Sequence, residues 1–334
     1  MSAGPVELLA FTDRGQHLAE TLAGALGGRA SRCGCPLSLS QWTSEHFPRA
    51  GALVYVGAAG IAVRAIAPHV KSKTRDPAVV VVDEGARWAV PVLSGHLGGA
   101  NDLARRIAGL CGAQAVITTA TDVNGVFAVD EWAKRQNCAV LRPEQIKIVS
   151  AALLAGKTVG LHTEFPIAGD PPAGVTLCES KDCTFRLSLR SRGREVLQLL
   201  PRIAVLGVGC RKGISREALE EALDRMLAKA SVCPQAICAV SSIDLKQEEP
   251  GLLSFCAAHG WPLRTYPAAA LAAVQGNFTA SAFVQKITGV DNVCERSAVL
   301  ASGGTLYSKK NAGNGVTMAL ALQPYAPDWR WQDE

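Results

Sequence analysis

The chain has 334 residues, 48% hydrophobic and 19% charged, with 34 Lys and Arg against 29 Asp and Glu for a formal net charge of +5. That composition excludes a disordered chain and a disulfide-stapled miniprotein, allows two or three domains, and favours small anionic ligands without reaching the basicity of a nucleic-acid binder. Eleven cysteines scattered through apolar stretches, an opening that reads as a strand and not a secretory leader, and no apolar run near the ~20 residues of a membrane span point to a cytoplasmic protein with free thiols.

In chain order, the pattern predicts strand Val6–Thr12, helix His17–Leu26, a strand near Leu37–Leu39, strand Ala52–Val56 and helix Ile61–Ala67. Ala78–Val82 is an unbroken aliphatic run expected of a strand covered on both faces, and Arg87–Val92 can pair with it across Asp83-Glu84-Gly85-Ala86. A helix starting near Gly98-Gly99 keeps Leu103, Ile107 and Leu110 together, ahead of strand Ala115–Thr119. From Ala133 to Pro201 the pattern loosens into helix Lys147–Leu154, strand Thr158–His162 and a Gly/Pro/Asp loop at Pro166–Pro172. Arg186, Arg190, Arg192 and Arg194 alternate, as on an exposed edge strand protected by charge, a reading that outweighs a binding stripe. Strand Ile203–Leu206 opens a second series: a glycine-rich turn, Ser215 as a cap, and a helix with Leu219, Ala222, Leu223, Met226 and Leu227 on one stripe. Strand Ala236–Ser241, helix Gly251–His259, strand Pro262–Tyr266, helix Ser281–Thr288 and a strand or helix at Val316–Leu322 complete it. The fold expected is α/β: two three-layer α/β domains, 1–135 and 201–334, joined by a smaller, less regular middle segment, 136–200.

Two glycine-rich segments carry candidate chemistry. Gly207-Val208-Gly209-Cys210-Arg211-Lys212-Gly213 has the spacing GxGxxxG, not the dinucleotide GxGxxG, and Lys212 is not followed by Ser or Thr, so no Walker motif exists. It is either an anion-accepting turn, with Arg211 and Lys212 beside backbone donors, or a solvated structural turn. Ser94-Gly95-His96-Leu97-Gly98-Gly99-Ala100-Asn101-Asp102 is denser. It joins donors, acceptors and one group titrating near neutrality to glycines that admit close backbone approach, although His96 and Asn101 could equally serve only the loop's own backbone. Thr118-Thr119-Ala120-Thr121-Asp122 ends a strand with four hydroxyl or carboxyl side chains. Lys71, Lys73 and Arg75 form a positive cluster, while Ser241 to Lys246 and Cys294-Glu295-Arg296 are sites or caps. No CxxC, HxH, HExxH or GxSxG is present, so neither a metal site nor a serine-hydrolase elbow is expected.

These strings, in this order, resemble the cobalt-precorrin-5A hydrolase family of anaerobic cobalamin biosynthesis over nearly the whole chain. The N-terminal half does so through Gly57 to Arg64, Lys73, Asp76 to Glu84, Leu93 to Asn101 and Thr118 to Asp122; the C-terminal half through Gly207 to Gly213, Ser242 to Lys246, Glu249 to Leu252 and Val293 to Ala298. The resemblance implies a cobalt-corrinoid substrate whose ring A δ-lactone is opened by water, the two-carbon unit leaving as acetaldehyde to give cobalt-precorrin-5B. Cobalt travels with the substrate, so no cofactor is expected; neighbouring enzymes of the pathway are candidate partners, nucleic acid and membrane are not. Lactone opening needs a base for water and donors for the oxyanion. On the matched motifs, His96 is the expected general base or acid, with Asp102 orienting it, Asp122 and Glu295 in reserve, and Gly98 and Gly99 N–H groups steadying the oxyanion. Arg64, Lys73, Ser94, Asn101, Thr119, Gly207, Gly209, Arg211, Lys212, Gly213 and Lys246 are the expected substrate contacts. A non-catalytic corrinoid-binding or handover module and a nucleotide-dependent oxidoreductase are the rival readings.

Overall fold

The aliphatic strings of the first hundred residues become the interior strands of a six-stranded sheet. In the computed structural model, which describes residues 4–34, 36–72, 75–190 and 196–331, the chain divides into two compact units: 1–131 with 153–155, and 132–152 with 156–334.

The first unit holds β1 (Val6–Ala10), α1 (Asp13–Leu26), β2 (Arg29–Arg32), α2 (Leu39–His46), β3 (Ala52–Val56), α3 (Ala59–Ile66), β4 (Ala78–Val82), β5 (Trp88–Leu93), α4 (Ala100–Cys111), β6 (Gln114–Ala115) and α5 (Ala120–Val123), and ends in the first turn of α6 (Val129–Arg135). Strand order is β2-β1-β3-β4-β5-β6, parallel except for β4 against β5. Alternate residues face opposite ways. Leu8, Val54, Val56, Val80 and Val82 pack with α1 and α4, whereas Leu9, Leu53, Tyr55, Val79 and Val81 pack with Trp42, Ala62 and Ile66 of α2 and α3. Three layers result, and β4 is buried along its whole length as its aliphatic run requires.

Local capping overrode two sequence expectations. The strand near Leu37–Leu39 is instead the start of α2, because Ser38 and Gln41 close a capping box. Helix α1 begins four residues before His17, where Thr12 accepts from the Gly15 amide.

The second unit carries two five-stranded sheets. Its elements are β7 (Cys138–Leu141), α7 (Ile146–Leu154), β8 (Val159–Thr163), β9 (Val175–Leu177), β10 (Phe185–Leu187), β11 (Leu197–Pro201), β12 (Ala204–Cys210), α8 (Arg216–Ala230), β13 (Ile237–Ile243), α9 (Pro250–His259), β14 (Leu263–Tyr266), α10 (Ala268–Ala273), α11 (Ala282–Thr288), α12 (Cys294–Ser302), β15 (Thr305–Gly313) and β16 (Val316–Leu322). The middle region forms the sheet β7-β11-β10-β8-β9. Strand β10 lies inside it, so Arg186 is not on an exposed edge: it is 7% exposed and donates to the Ser180 carbonyl and hydroxyl. Arg192 and Arg194 lie outside the described residues.

The last sheet, β14-β13-β12-β16-β15, settles Val316–Leu322 as a strand antiparallel to β12. Leu206, Val208, Met318 and Leu320 pack one face against Leu219, Leu223 and Met226 of α8 and Phe255 of α9. The other face meets α12 so closely that a Cβ on Gly207 would lie 1.8 Å from the Cys294 carbonyl oxygen.

Candidate functional site

Two places concentrate chemistry, one in each unit. In the first, the loop after β5 turns sharply. Ser94 sits at φ 56° and its hydroxyl donates to the Asp76 carbonyl, while Gly99, at φ 86°, caps α4. A Cβ on Gly98 would lie 2.3 Å from that of Ser94. This tight turn projects His96 into a nest of carboxylates.

His96 Nε2 donates to Asp122 Oδ2 at 2.8 Å, and Nδ1 donates to Asp130 at 3.2 Å. Glu131 Oε1 lies 3.7 Å from Nε2. Arg105 of α4 reaches Asp122 Oδ1 at 2.5 Å and Asp102 at 3.4 Å. Thr119 donates to Asp122 Oδ2, and Asn101, 1% exposed, donates to both Thr119 at 3.1 Å and Asp122 at 3.3 Å. Ligand atoms of His96, Asp122 and Glu131 lie within 4.8 Å of one another. They are the group among the described residues that could hold a metal ion.

Burial alone would push the His96 imidazole down. The Asp130 hydrogen bond and charge, joined by Asp122 and Glu131, outweigh it and hold the ring up at about 9. Burial also pushes Glu131 up to about 7, helped by the charges of Asp122 and Asp102 against the pull of His96 and Arg105. Asp122 resists its own burial, because Thr119, His96 and Arg105 all bond its charged form and hold it below the usual carboxylate range. At neutral pH the ring is therefore an imidazolium.

His96 and Glu131 both bind protons more tightly folded than unfolded, so their contribution to stability is complete below 4.5 for Glu131 and 6.5 for His96. It is lost as pH rises through about 7 and then about 9. Asp122 acts in the opposite sense only below 3.8. In chelator-treated protein, the urea midpoint is expected to fall between about pH 5 and about pH 9. Glu131→Gln should flatten the lower half of that fall; a parallel curve in the variant would refute the assignment.

Several expected roles need correction. Asp130, not Asp102, orients the imidazole, because Asp102 is turned toward Arg105. The Gly99 amide is spent on the His96 carbonyl at 2.9 Å, so it is no oxyanion donor. Ser94, Asn101 and Thr119 build and hold the cluster. Arg64 is exposed on α3, and Lys73 lies outside the described residues. Sequence reasoning missed Arg105, Asp130 and Glu131. The only linear hint was the acidic pair opening α6, which reads equally well as a complement to the helix dipole.

In the second unit a cavity of about 1050 Å³ opens at the carboxyl end of β12. Gly209, Arg211, Lys212, Gly213 and Lys246 line it, as do the apolar side chains of Ile243, Leu245, Phe283 and Ile287. Phe283 is 74% exposed and Ile287 60%, a cost to the free protein that an apolar ligand would relieve. Among its charged groups, Glu249 is matched by Lys246 at 2.9 Å and Asp291 by Arg296 at 2.8 Å. Arg211, Lys212 and Lys310 remain against Glu248.

The glycine-rich turn works differently from the expected anion nest. Glu249 already takes the Gly213 amide at 2.8 Å, and with Lys246 beside it the carboxylate is held below its ordinary range. Arg211 donates its amide to the Gly315 carbonyl. What the turn offers a ligand is therefore its cationic side chains. Gly207 packs against α12 and does not line the cavity. Glu295 is no reserve base: at 0% exposure its carboxylate accepts from the Thr279 amide at 2.7 Å and hydroxyl at 2.9 Å and from the Lys310 amide at 2.7 Å, stapling three segments together.

Comparison with known proteins bears on both units. Family models described as "Cobalamin synthesis G N-terminal", "Cobalamin biosynthesis central region" and "Cobalamin synthesis G C-terminus" match residues 41–122, 127–205 and 204–321. The cobalt-precorrin-5A hydrolase of Salmonella typhimurium is 37% identical over 294 residues, 83% of this chain and 84% of its own. The chain belongs to the cobalt-precorrin-5A hydrolase family. Another cobalt-precorrin-5A hydrolase, from Priestia megaterium, is 32% identical over 82% of this chain and 79% of its own. Protein CobE of a Sinorhizobium species is 32% identical over 120 residues, 35% of this chain and 78% of its own. The α/β fold expected of the family is present, and among the described residues no helix is long and apolar enough to cross a membrane.

Proposed function

We propose that this chain hydrolyses the ring A δ-lactone of cobalt-precorrin-5A, releasing acetaldehyde and giving cobalt-precorrin-5B. The observation that carries the reading, beside family membership, is the cavity of the second unit. Its volume of about 1050 Å³ stands at the top of the ~300–1,000 Å³ usual for small-molecule sites. Its chemistry is two-sided: an apolar part for the face of a macrocycle, and Arg211, Lys212 and Lys310 for peripheral carboxylates. Cobalt enters as part of the substrate. The catalytic assignment goes to the His96 cluster, where the groups able to exchange protons and place charge converge.

Purified protein given cobalt-precorrin-5A should release acetaldehyde in step with loss of substrate. Tight binding without release would instead make the chain a corrinoid handover module. Changing Arg211 and Lys212 together to Ala should weaken corrinoid binding about tenfold and flatten its dependence on salt. Titration at low and high ionic strength checks this, and unchanged affinity would remove both residues from the site.

A further inference from the structure

We propose that His96 Nε2, Asp122 Oδ2 and the Glu131 carboxylate form a binding site for one divalent first-row transition ion. The inference deepens the catalytic assignment of this cluster by naming a cofactor class, and it is tested by a readout that does not depend on that assignment. No linear motif announces such a site, because its ligands come from the loop after β5, from α5 and from the first turn of α6.

The first support is geometric. Ligands about 2.0–2.2 Å from one ion stand roughly 2.8–3.6 Å apart in octahedral or tetrahedral arrangements. Nε2 lies 2.8 Å from Asp122 Oδ2 and 3.7 Å from Glu131 Oε1, so small rotations bring all three within reach. The second is an orphaned oxygen on the Glu131 carboxylate itself. Glu131 is 4% exposed, and its Oε2 is buried with no hydrogen-bond partner, although a buried carboxylate oxygen demands one. The third is the outer shell. Asp130 on Nδ1 fixes the imidazole so that Nε2 faces the other two carboxylates, the carboxylate–histidine pairing that commonly supports a bound metal. Arg105 takes the far oxygen of Asp122, leaving Oδ2 on the His96 side.

Charge points the same way. Three buried carboxylates, Asp122, Asp130 and Glu131, crowd round the His96 ring, and buried charge of one sign is eased by a cation. On binding, the ion takes the Nε2 lone pair and the proton there leaves to solvent. One imidazole and two carboxylates suit Zn²⁺, Co²⁺ or Mn²⁺ better than the all-oxygen preference of Ca²⁺ or Mg²⁺. Bound there, such an ion would supply Lewis-acid polarisation.

Co²⁺ is a suitable probe, since thiolate ligation by stray cysteines would betray itself as sulfur-to-metal charge transfer in the near ultraviolet. Chelator-stripped full-length protein, reloaded with Co²⁺ and dialysed, should retain one ion per chain, showing visible d–d bands and no such charge-transfer band in the near ultraviolet. Its melting temperature should rise. Asp122→Asn and Glu131→Gln should abolish retention. Asp130→Asn, which touches no proposed ligand atom of the ion, should weaken it about 10–100-fold while leaving the fold intact. Failure of the unaltered protein to retain Co²⁺, or equal retention by all three variants, would overturn the proposal. Retention without turnover of cobalt-precorrin-5A would instead count against the hydrolase reading alone.

Discussion

Replacing His96 with alanine is expected to lower acetaldehyde formation about 10²–10⁴-fold while corrinoid affinity stays within a few fold. The reasoning starts from position. His96 is bonded to Asp122 and Asp130 at once, with Glu131 at 3.7 Å, so removing it takes away the group around which the cluster is organised. The same surroundings make this a demanding variant. Asp122, Asp130 and Glu131 would lose the imidazolium that lies between them, and stripping one partner from a buried ion cluster typically costs about 3–5 kcal/mol. Folding must therefore be checked first, by thermal melting and near-ultraviolet circular dichroism. Asp130→Asn provides an independent arm, since it keeps the ring, removes only the charge on its Nδ1 side, and should lower turnover about 10–100-fold. Near-normal turnover in a folded His96→Ala protein would take the catalytic role away from this cluster.

What the sequence made legible follows the range over which each signal acts. The buried strand Ala78–Val82, the helix stripe of α8 and the dense loop around His96 are local patterns, readable in a short window. Partners of His96 are another matter. Asp122 could be suspected because it closes a polar strand end, but Asp130 stands 34 residues from His96, and no periodicity links them. Glu131 and Arg105 are likewise assembled through space. Charge was also misjudged where burial reversed its usual meaning. In sequence Arg186 reads as edge protection, but β10 lies inside the middle sheet; Glu295 reads as a spare base, but its oxygens are occupied by Thr279 and Lys310. Glycines carry a deeper ambiguity. A missing side chain signals close approach, but not whether the neighbour is ligand or helix.

That ambiguity is decided for Gly207. Gly207→Ala is expected to destabilise the second unit by about 3 kcal/mol or more, because the added Cβ would lie 1.8 Å from the Cys294 carbonyl oxygen and 2.8 Å from the Ala298 Cβ. Neither neighbour is a flexible tip that can swing aside; one is helix backbone and the other is a methyl fixed to it. Relief requires α12 to move away from β12, and α12 carries both Cys294, which lines the cavity, and Glu295, which staples Thr279 to Lys310. Corrinoid affinity should fall along with stability. Gly213→Ala makes the contrast: that residue sits at φ 71° with nothing within 4 Å of its ideal Cβ, so only the left-handed conformation is penalised, at roughly 1–2 kcal/mol. Urea denaturation of both variants beside corrinoid titration separates packing from ligand contact. An unchanged urea midpoint for Gly207→Ala together with lost corrinoid binding would restore Gly207 to the ligand and refute the packing argument.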